Sequence, residues 1–318
     1  MSWERDPLWA KARLFFEIAF DESRDSPTFG LWCSFGLELL ARSALASISP
    51  TLLAEPDREQ KNLLHALNRG FDRTPRKSIA VVQVFSLCCK LFPNFTNDDF
   101  TAAMALINRR NEELHSGAAA FKEYPTSQWL GGFYRACKLL SEAMSENLTN
   151  LFGKEEAKGA NETLTENQKE VKKHVDISIA SHREVFKERS DDDRKKAATE
   201  AMKLGEKLAM LDHHLVACPA CKCVATVQGR PFGKEHLSNN KGMIIVRQAV
   251  VPTSFACPAC DLKLDGYAQL DAAGLGGHYQ RKTTYSPEEY YGLINPDDMD
   301  SYVEEYLEKL EGKEYDNE

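Results

Sequence analysis

Leu31-Trp-Cys-Ser-Phe-Gly-Leu-Glu38-Leu-Leu-Ala-Arg42-Ser-Ala-Leu-Ala-Ser-Ile48 is a long apolar run whose only charges, Glu38 and Arg42, stand one helical turn apart, and Ser49-Pro50 stops it. A strand would end sooner, and this composition reads as a helix buried on most of its circumference. Its neighbours carry the same signal. Trp9 to Phe20 is apolar and ends at the breakers Asp21, Ser23 and Asp25. Gln60 to Asn68 predicts a shorter helix closed by Gly70. Pro75 can open another, in which Ile79, Val82, Val84, Phe85, Leu87 and Leu91 form a broad buried face up to Pro93. Thr96-Asn-Asp-Asp99 caps a segment through Phe100, Met104 and Ile107, and a last helix is expected from about Ser127 to Leu151. With no alternating stretch among them, residues 1–150 predict an antiparallel all-α bundle, and the chain as a whole a mainly α protein.

Beyond the bundle the composition changes three times. Residues 151–165 are rich in Gly, Asn, Thr, Lys and Glu and read as a linker. Residues 166–213 predict a charged helical connector with a break at Ser190-Asp-Asp-Asp193; its thin apolar stripe is Val171, Val175, Ile179, Phe186, Met202, Leu204, Leu208 and Leu211. Residues 216–285 carry strand signals at Val224–Val227, Met243–Val251 and Leu262–Leu264, which predict a small β module. Residues 286–318 return to helix. Ser286-Pro-Glu-Glu289 is a capping box, and Asn295-Pro-Asp-Asp298 opens a second helix with Val303, Tyr306, Leu307 and Leu310 on one face.

A chain of 318 residues with 42% hydrophobic content can bury cores of its own, which excludes a disordered protein. The net charge of -8 is unevenly spread. It is -1 over residues 1–150, -1 over 151–215, +4 over 216–285 and -10 over 286–318. The acidity belongs to the tail, so the overall charge does not exclude a nucleic-acid partner. The start lacks the basic and apolar regions of a signal peptide, and Ile79–Phe92 is too short to span a bilayer, so a cytoplasmic protein without a membrane partner is expected.

Nine cysteines form an odd set, and four of them stand in two Cys-Pro-Ala-Cys pairs: Cys218 with Cys221, and Cys257 with Cys260. Each pair sets two thiolates across a tight turn. Two such turns joined by a hairpin supply the four soft ligands of a tetrahedral zinc, as in a zinc ribbon. Four sulfurs leave no open position on the metal, so the expected zinc is structural rather than hydrolytic. Cys223, His213 and His214 lie close enough in sequence to be weighed as substitute ligands. The 35 residues between the pairs imply an inserted loop, in which Arg230, Lys234, His236 and Lys241, followed by Arg247, make a modest basic surface suited to phosphates. Gly274, Gly276 and Gly277 lack the Lys-Ser/Thr of a phosphate loop and read as a plain turn.

In the helical domain the chain runs Ile107-Asn-Arg109-Arg110-Asn111-Glu112-Glu113-Leu114-His115-Ser116-Gly117. From Arg110 this resembles the Arg-x4–6-His signature of the HEPN superfamily, with Asn111 in the polar slot that follows the Arg. Phe35-Gly-Leu-Glu38-Leu-Leu-Ala-Arg42 is similar to the helix that many HEPN domains use to present an acidic residue, here Glu38, towards the motif. Glu38 and Arg42 read equally well as a plain i, i+4 surface pair. The resemblance covers roughly residues 1–150.

It implies metal-independent RNA cleavage in a cleft lined by the motifs of two paired domains. His115 would act as general base or acid, Arg110 would stabilise phosphoryl charge, and Asn111 would orient the His or a phosphate. Attack by the 2′-hydroxyl would leave a 2′,3′-cyclic phosphate and a 5′-hydroxyl. Such proteins resemble toxins and phage-defence effectors, so RNA, a second copy of the chain and a sensor or regulatory protein are the expected partners. HEPN toxins silenced by nucleotidylation continue His-x-Tyr, and Gly117 stands at that Tyr position here. Arg69, Arg73, Arg76 and Lys77 form a second basic cluster that can track an RNA backbone. The contrasting expectation is a non-catalytic adaptor that dimerises through its helices and binds through its ribbon.

Overall fold

The computed structural model describes residues 3–69, 76–293 and 299–311. The described chain is mostly helical, with a small antiparallel sheet. Helices α1 (Arg5–Asp21) and α2 (Pro27–Ile48) pack along one another. At Gly36 a methyl group would overlap the Phe16 ring, so the absence of a side chain sets how closely the two helices approach. Ser26 starts α2 by accepting from the Thr28 amide, with Pro27 in the first turn. Helices α3 (Lys61–Ala66), α4 (Val81–Leu91), α5 (Asn97–His115), α6 (Thr126–Ala143) and α7 (Leu148–Phe152) complete the bundle. Phe16, Phe29, Leu37, Leu40, Phe85 and Leu106 are among its fully buried side chains. Helix α2 is long and apolar enough to cross a membrane, yet 56% of its most apolar window is buried inside this fold.

Thr96 and Asp99 form the expected capping box at the start of α5, and Asp99, only 2% exposed, also accepts from Arg135 of α6 at 2.7 Å. The helix expected from Pro75 begins instead at Val81. Residues before it run extended: Ser78 bridges to Ala54, and the Ile79 amide donates to Leu53. Gly70, Arg73, Pro75 and Asn295–Asp298 lie outside the described residues.

The segment expected to be a linker, 151–165, is helix except at Gly153, its first two residues ending α7. Helix α8 spans Lys154–Glu188 without interruption, about 50 Å at 1.5 Å per residue. Its polar composition conceals two small buried contacts, Ala157 and Ala160, and Glu156 accepts from Tyr134 and from Arg24 (2.5 Å). These ties dock the first turns of α8 on the bundle. Ser190 caps α9 (Asp191–Ala209), where the break was expected.

The chain divides into two compact units, residues 1–232 with 251–277 and residues 233–250 with 278–318. Within the first, β1 (His214–Ala217), β2 (Val224–Asn240), β3 (Met243–Ala256) and β4 (Lys263–Asp265) follow in that order, with α10 (Tyr267–Ala272) after them. The glycines at 274, 276 and 277 lie in the turn that follows α10. Strands β2 and β3 are longer than expected and continue into the second unit, where Lys241 and Gly242, both at positive φ, make the turn between them. The region read as an inserted loop is therefore the outer part of a hairpin. In the second unit β3 also pairs with β5 (Tyr279–Tyr285), a strand whose polar sequence gave no warning. There α11 (Pro287–Tyr291) starts with the expected Ser286–Glu289 box, and α12 (Met299–Glu311) carries Val303, Tyr306 and Leu307 exposed.

Candidate functional site

The two candidate stretches are built in different ways. The cysteine cluster is made of two similar turns. Lys222 and Asp261, both at positive φ, donate their amides to the Cys218 and Cys257 carbonyls, while the Cys218 and Cys257 amides donate to Cys223 and Leu262. Each turn thereby points two sulfurs the same way. The four sulfurs lie within 4.8 Å of one another, with Cys218 to Cys260 at 3.6 Å and Cys221 to Cys257 at 3.5 Å. These separations are far above a disulfide bond of about 2.05 Å and near the roughly 3.8 Å between sulfurs on a tetrahedral zinc. The four cysteines could hold a metal ion. Cys223 and the two histidines stay outside the cluster: Cys223 points to the Cys221 carbonyl, and His213 meets Gln228 at 2.6 Å.

One feature of the cluster is invisible in the spacing of the cysteines. Arg183 of α8 donates to the Pro219 and Ala220 carbonyls at 3.2 and 3.4 Å, and Arg189 just beyond α8 donates to Ala259 at 2.7 Å. The end of one helix thus grips both Pro-Ala turns, with Phe186 buried between the two arginines in sequence. The only hint in the sequence was that Arg183, Phe186 and Arg189 recur at three-residue steps.

The Arg110 region is built by tertiary contact. Arg110, on α5, reaches 72 residues back to Glu38 of α2 at 2.5 Å, and it donates to the Asn111 side chain at 3.2 and 3.0 Å. Glu38 accepts in turn from Arg42 at 3.0 and 2.8 Å, and Arg42 continues to Ser78 and to the Ile79 carbonyl. The Arg110 guanidinium stands 5.5 Å from the centre of the Phe35 ring. Glu38, Arg42 and Arg110 are only 19, 12 and 12% exposed, so this is a largely buried carboxylate between two cations rather than a surface pair. Burial alone would raise the Glu38 pKa, but the two guanidiniums outweigh it and hold the carboxyl below its ordinary range.

His115 is the last residue of α5 and is exposed. Since α5 is regular to its end, Arg110 and His115 are separated by about 140° around the axis and about 7.5 Å along it. One chain does not aim both at a single atom. Arg109, the looser match, pairs with Glu112 at 2.8 Å and lies over Tyr124. Arg69, Arg76 and Lys77 flank residues outside the described part, and the Lys77 amide donates to Asn62. Arg230 is half-buried and donates to the Phe95 carbonyl, whereas Lys234 lies exposed in the second unit. A cleft of about 420 Å³ opens between α6, α8 and α10, lined by Arg135, Gln168, Tyr267 and Asp271, and it includes neither Arg110 nor His115.

The remaining cysteines of the bundle, Cys33, Cys88, Cys89 and Cys137, are buried, and burial pushes their thiols up, as suits small apolar core residues. The chain matches no protein-family model, no curated protein and no solved structure.

Proposed function

We propose that this protein is a metal-independent endoribonuclease of the HEPN type, acting as a homodimer and carrying a structural zinc on its four clustered cysteines. The observation that carries the reading is the Glu38–Arg110–Asn111 contact, in which the acidic residue of one bundle helix meets the Arg and the polar residue of the motif on another. Glu38 fixes the Arg110 guanidinium, and two of its five N–H groups remain to meet a phosphate. His115 is exposed at the helix end and its imidazole makes no hydrogen bond among the described residues, which leaves it to exchange a proton with the ribose 2′-hydroxyl or the leaving oxygen. Because the two groups diverge within one chain, the reading requires His115 of one protomer to work beside Arg110 of the other. A toxin or phage-defence effector, quiet until triggered, fits this design.

The test is cleavage of mixed cellular RNA in EDTA by the intact protein, Arg110→Ala and His115→Ala. The expected result is cutting by the intact protein alone, leaving cyclic phosphate ends. Cutting that survives both substitutions overturns the assignment.

A second reading rests on a specific observation. Arg110 is 12% exposed and engaged on two partners, as a purely structural arginine would be. A helical dimerisation module joined to a metal-stapled adaptor would show the same geometry and no cleavage.

A further inference from the structure

The second unit carries an unusual sheet. Along β3 and β5, Arg247 stands directly opposite Lys282 in the antiparallel register. Like charges in this position repel, and sheets ordinarily avoid them. Arg247 also donates to Ser238 of β2 at 2.9 Å, which places Ser238 on the same face. Alternation along the strands then adds Lys234, His236 and Asn240 from β2 and Gln280 and Thr284 from β5. These five and Ser238 are exposed, whereas Arg281, Thr283 and Tyr285 of the other face are half-buried. Glu235, the only acidic residue in 233–250 and 278–285, alternates to the opposite side. These strands and their turn hold five Lys/Arg against that one Glu.

We infer that this face of β2, β3 and β5 is a binding surface for the phosphodiester backbone of single-stranded nucleic acid. The same alternation places Met243, Ile245 and Ala249 of β3 on this face, with Ile245 only 6% exposed, and around that strip stand Lys234, Arg247 and Lys282 with hydroxyls and amides, the groups that contact phosphates. Side chains on one face of a strand recur about every 6.8 Å, so the cations form a stripe rather than a point. Within residues 233–250 and 278–285 the face presents no Phe, Tyr or Trp for stacking, so its binding is independent of base sequence and steep in salt. A bound polyanion relieves the Arg247–Lys282 repulsion. The inference rests on the ribonuclease reading and deepens it by naming residues that hold RNA, distinct from those proposed to cut it.

The experiment measures fluorescence anisotropy of the full chain with a labelled 2′-O-methyl oligoribonucleotide, whose blocked 2′ position cannot be cleaved by the proposed chemistry, across a salt series. The intact protein should bind, and binding should be equal for a scrambled sequence and for the matching DNA. Arg247→Gln with Lys282→Gln should weaken binding by tenfold or more and flatten the slope of log affinity against log salt by about 1.4. The same variant should melt no lower than the intact protein, because the like-charge pair is gone. Arg281→Gln, on the other face, should bind like the intact protein. No binding by the intact protein, an unchanged slope in the double variant, or tighter capture of labelled poly-glutamate than of the oligonucleotide would overturn the inference. Failure here with RNA cleavage intact leaves the catalytic reading standing, and binding without cleavage does the reverse.

Discussion

The cysteine cluster and the Arg110 site differ in how much of each a single chain completes. Four sulfurs converge within 4.8 Å inside one chain, each pair aimed by its own turn. Arg110 and His115 lie on one helix yet face different directions, and Arg110 is held by a residue 72 positions away. Two copies of a short turn can be joined by any hairpin that brings them together. A catalytic pair on a regular helix depends on whether its spacing divides by 3.6, and a separation of five does not. The contrast separates a site whose loss should unfold its surroundings from one whose loss should leave the fold untouched.

The largest effect should come from the cluster. Cys218→Ser or Cys257→Ser removes a ligand from a site whose metal, once bound, is worth on the order of 10 kcal/mol of folding free energy. Metal stoichiometry should fall from one per chain, and amides of β1 to β4 should lose hydrogen-exchange protection while those of α1 and α2 keep theirs. Equal loss in both regions would show that the bundle depends on the metal as well.

Next in size is the grip of α8. Arg183→Ala with Arg189→Ala leaves all four sulfurs in place but frees the Pro219, Ala220 and Ala259 carbonyls. Outer contacts of this kind commonly change metal affinity by about 10- to 100-fold, and competition with a chromophoric chelator would measure the change. Unchanged affinity would mean that the turns need no support from the helix.

Glu38→Gln should cost about 1–3 kcal/mol, because it leaves Arg42 and Arg110 facing each other with a neutral group between them. The sign of its pH dependence is fixed. The folded pKa of Glu38 lies below its unfolded value of about 4.3, so its stabilisation is fully present above that pH. It is lost as the pH falls through the folded value. The difference in Tm between the variant and the intact protein should therefore be constant near neutrality and close at acid pH. A gap that widens on acidification would contradict the ion-pair assignment.

What could be read from the sequence was what is written locally. Helix caps at Thr96 and Ser286 declare themselves because cap and partner lie within three residues, and the break at Ser190 is likewise local. The cysteine pairs do so for the same reason. The continuity of α8 was hidden because Ala157 and Ala160 need only two small contacts to dock a polar helix. Strand β5 was hidden because Tyr-Gln-Arg-Lys-Thr-Thr-Tyr gains its order from the register with β3, not from an apolar alternation. The meeting of Glu38 with Arg110 was suggested only by family resemblance, and the helix ends that grip the Pro-Ala turns by nothing stronger than spacing. Such contacts are set by how helices pack, which a linear pattern records poorly.

His115→Ala should have the smallest structural effect, within about 0.5 kcal/mol, as for an exposed residue at a helix end. That makes it suited to the decisive measurement, RNA cleavage by a mixture of Arg110→Ala and His115→Ala chains, each inactive alone. If the cleft is shared between two copies, a mixed dimer retains one complete pairing of Arg110 with His115, and the equimolar mixture should recover about a quarter of the intact rate by random pairing. No recovery at any ratio, with subunit exchange verified by mass, would contradict a site assembled across two chains.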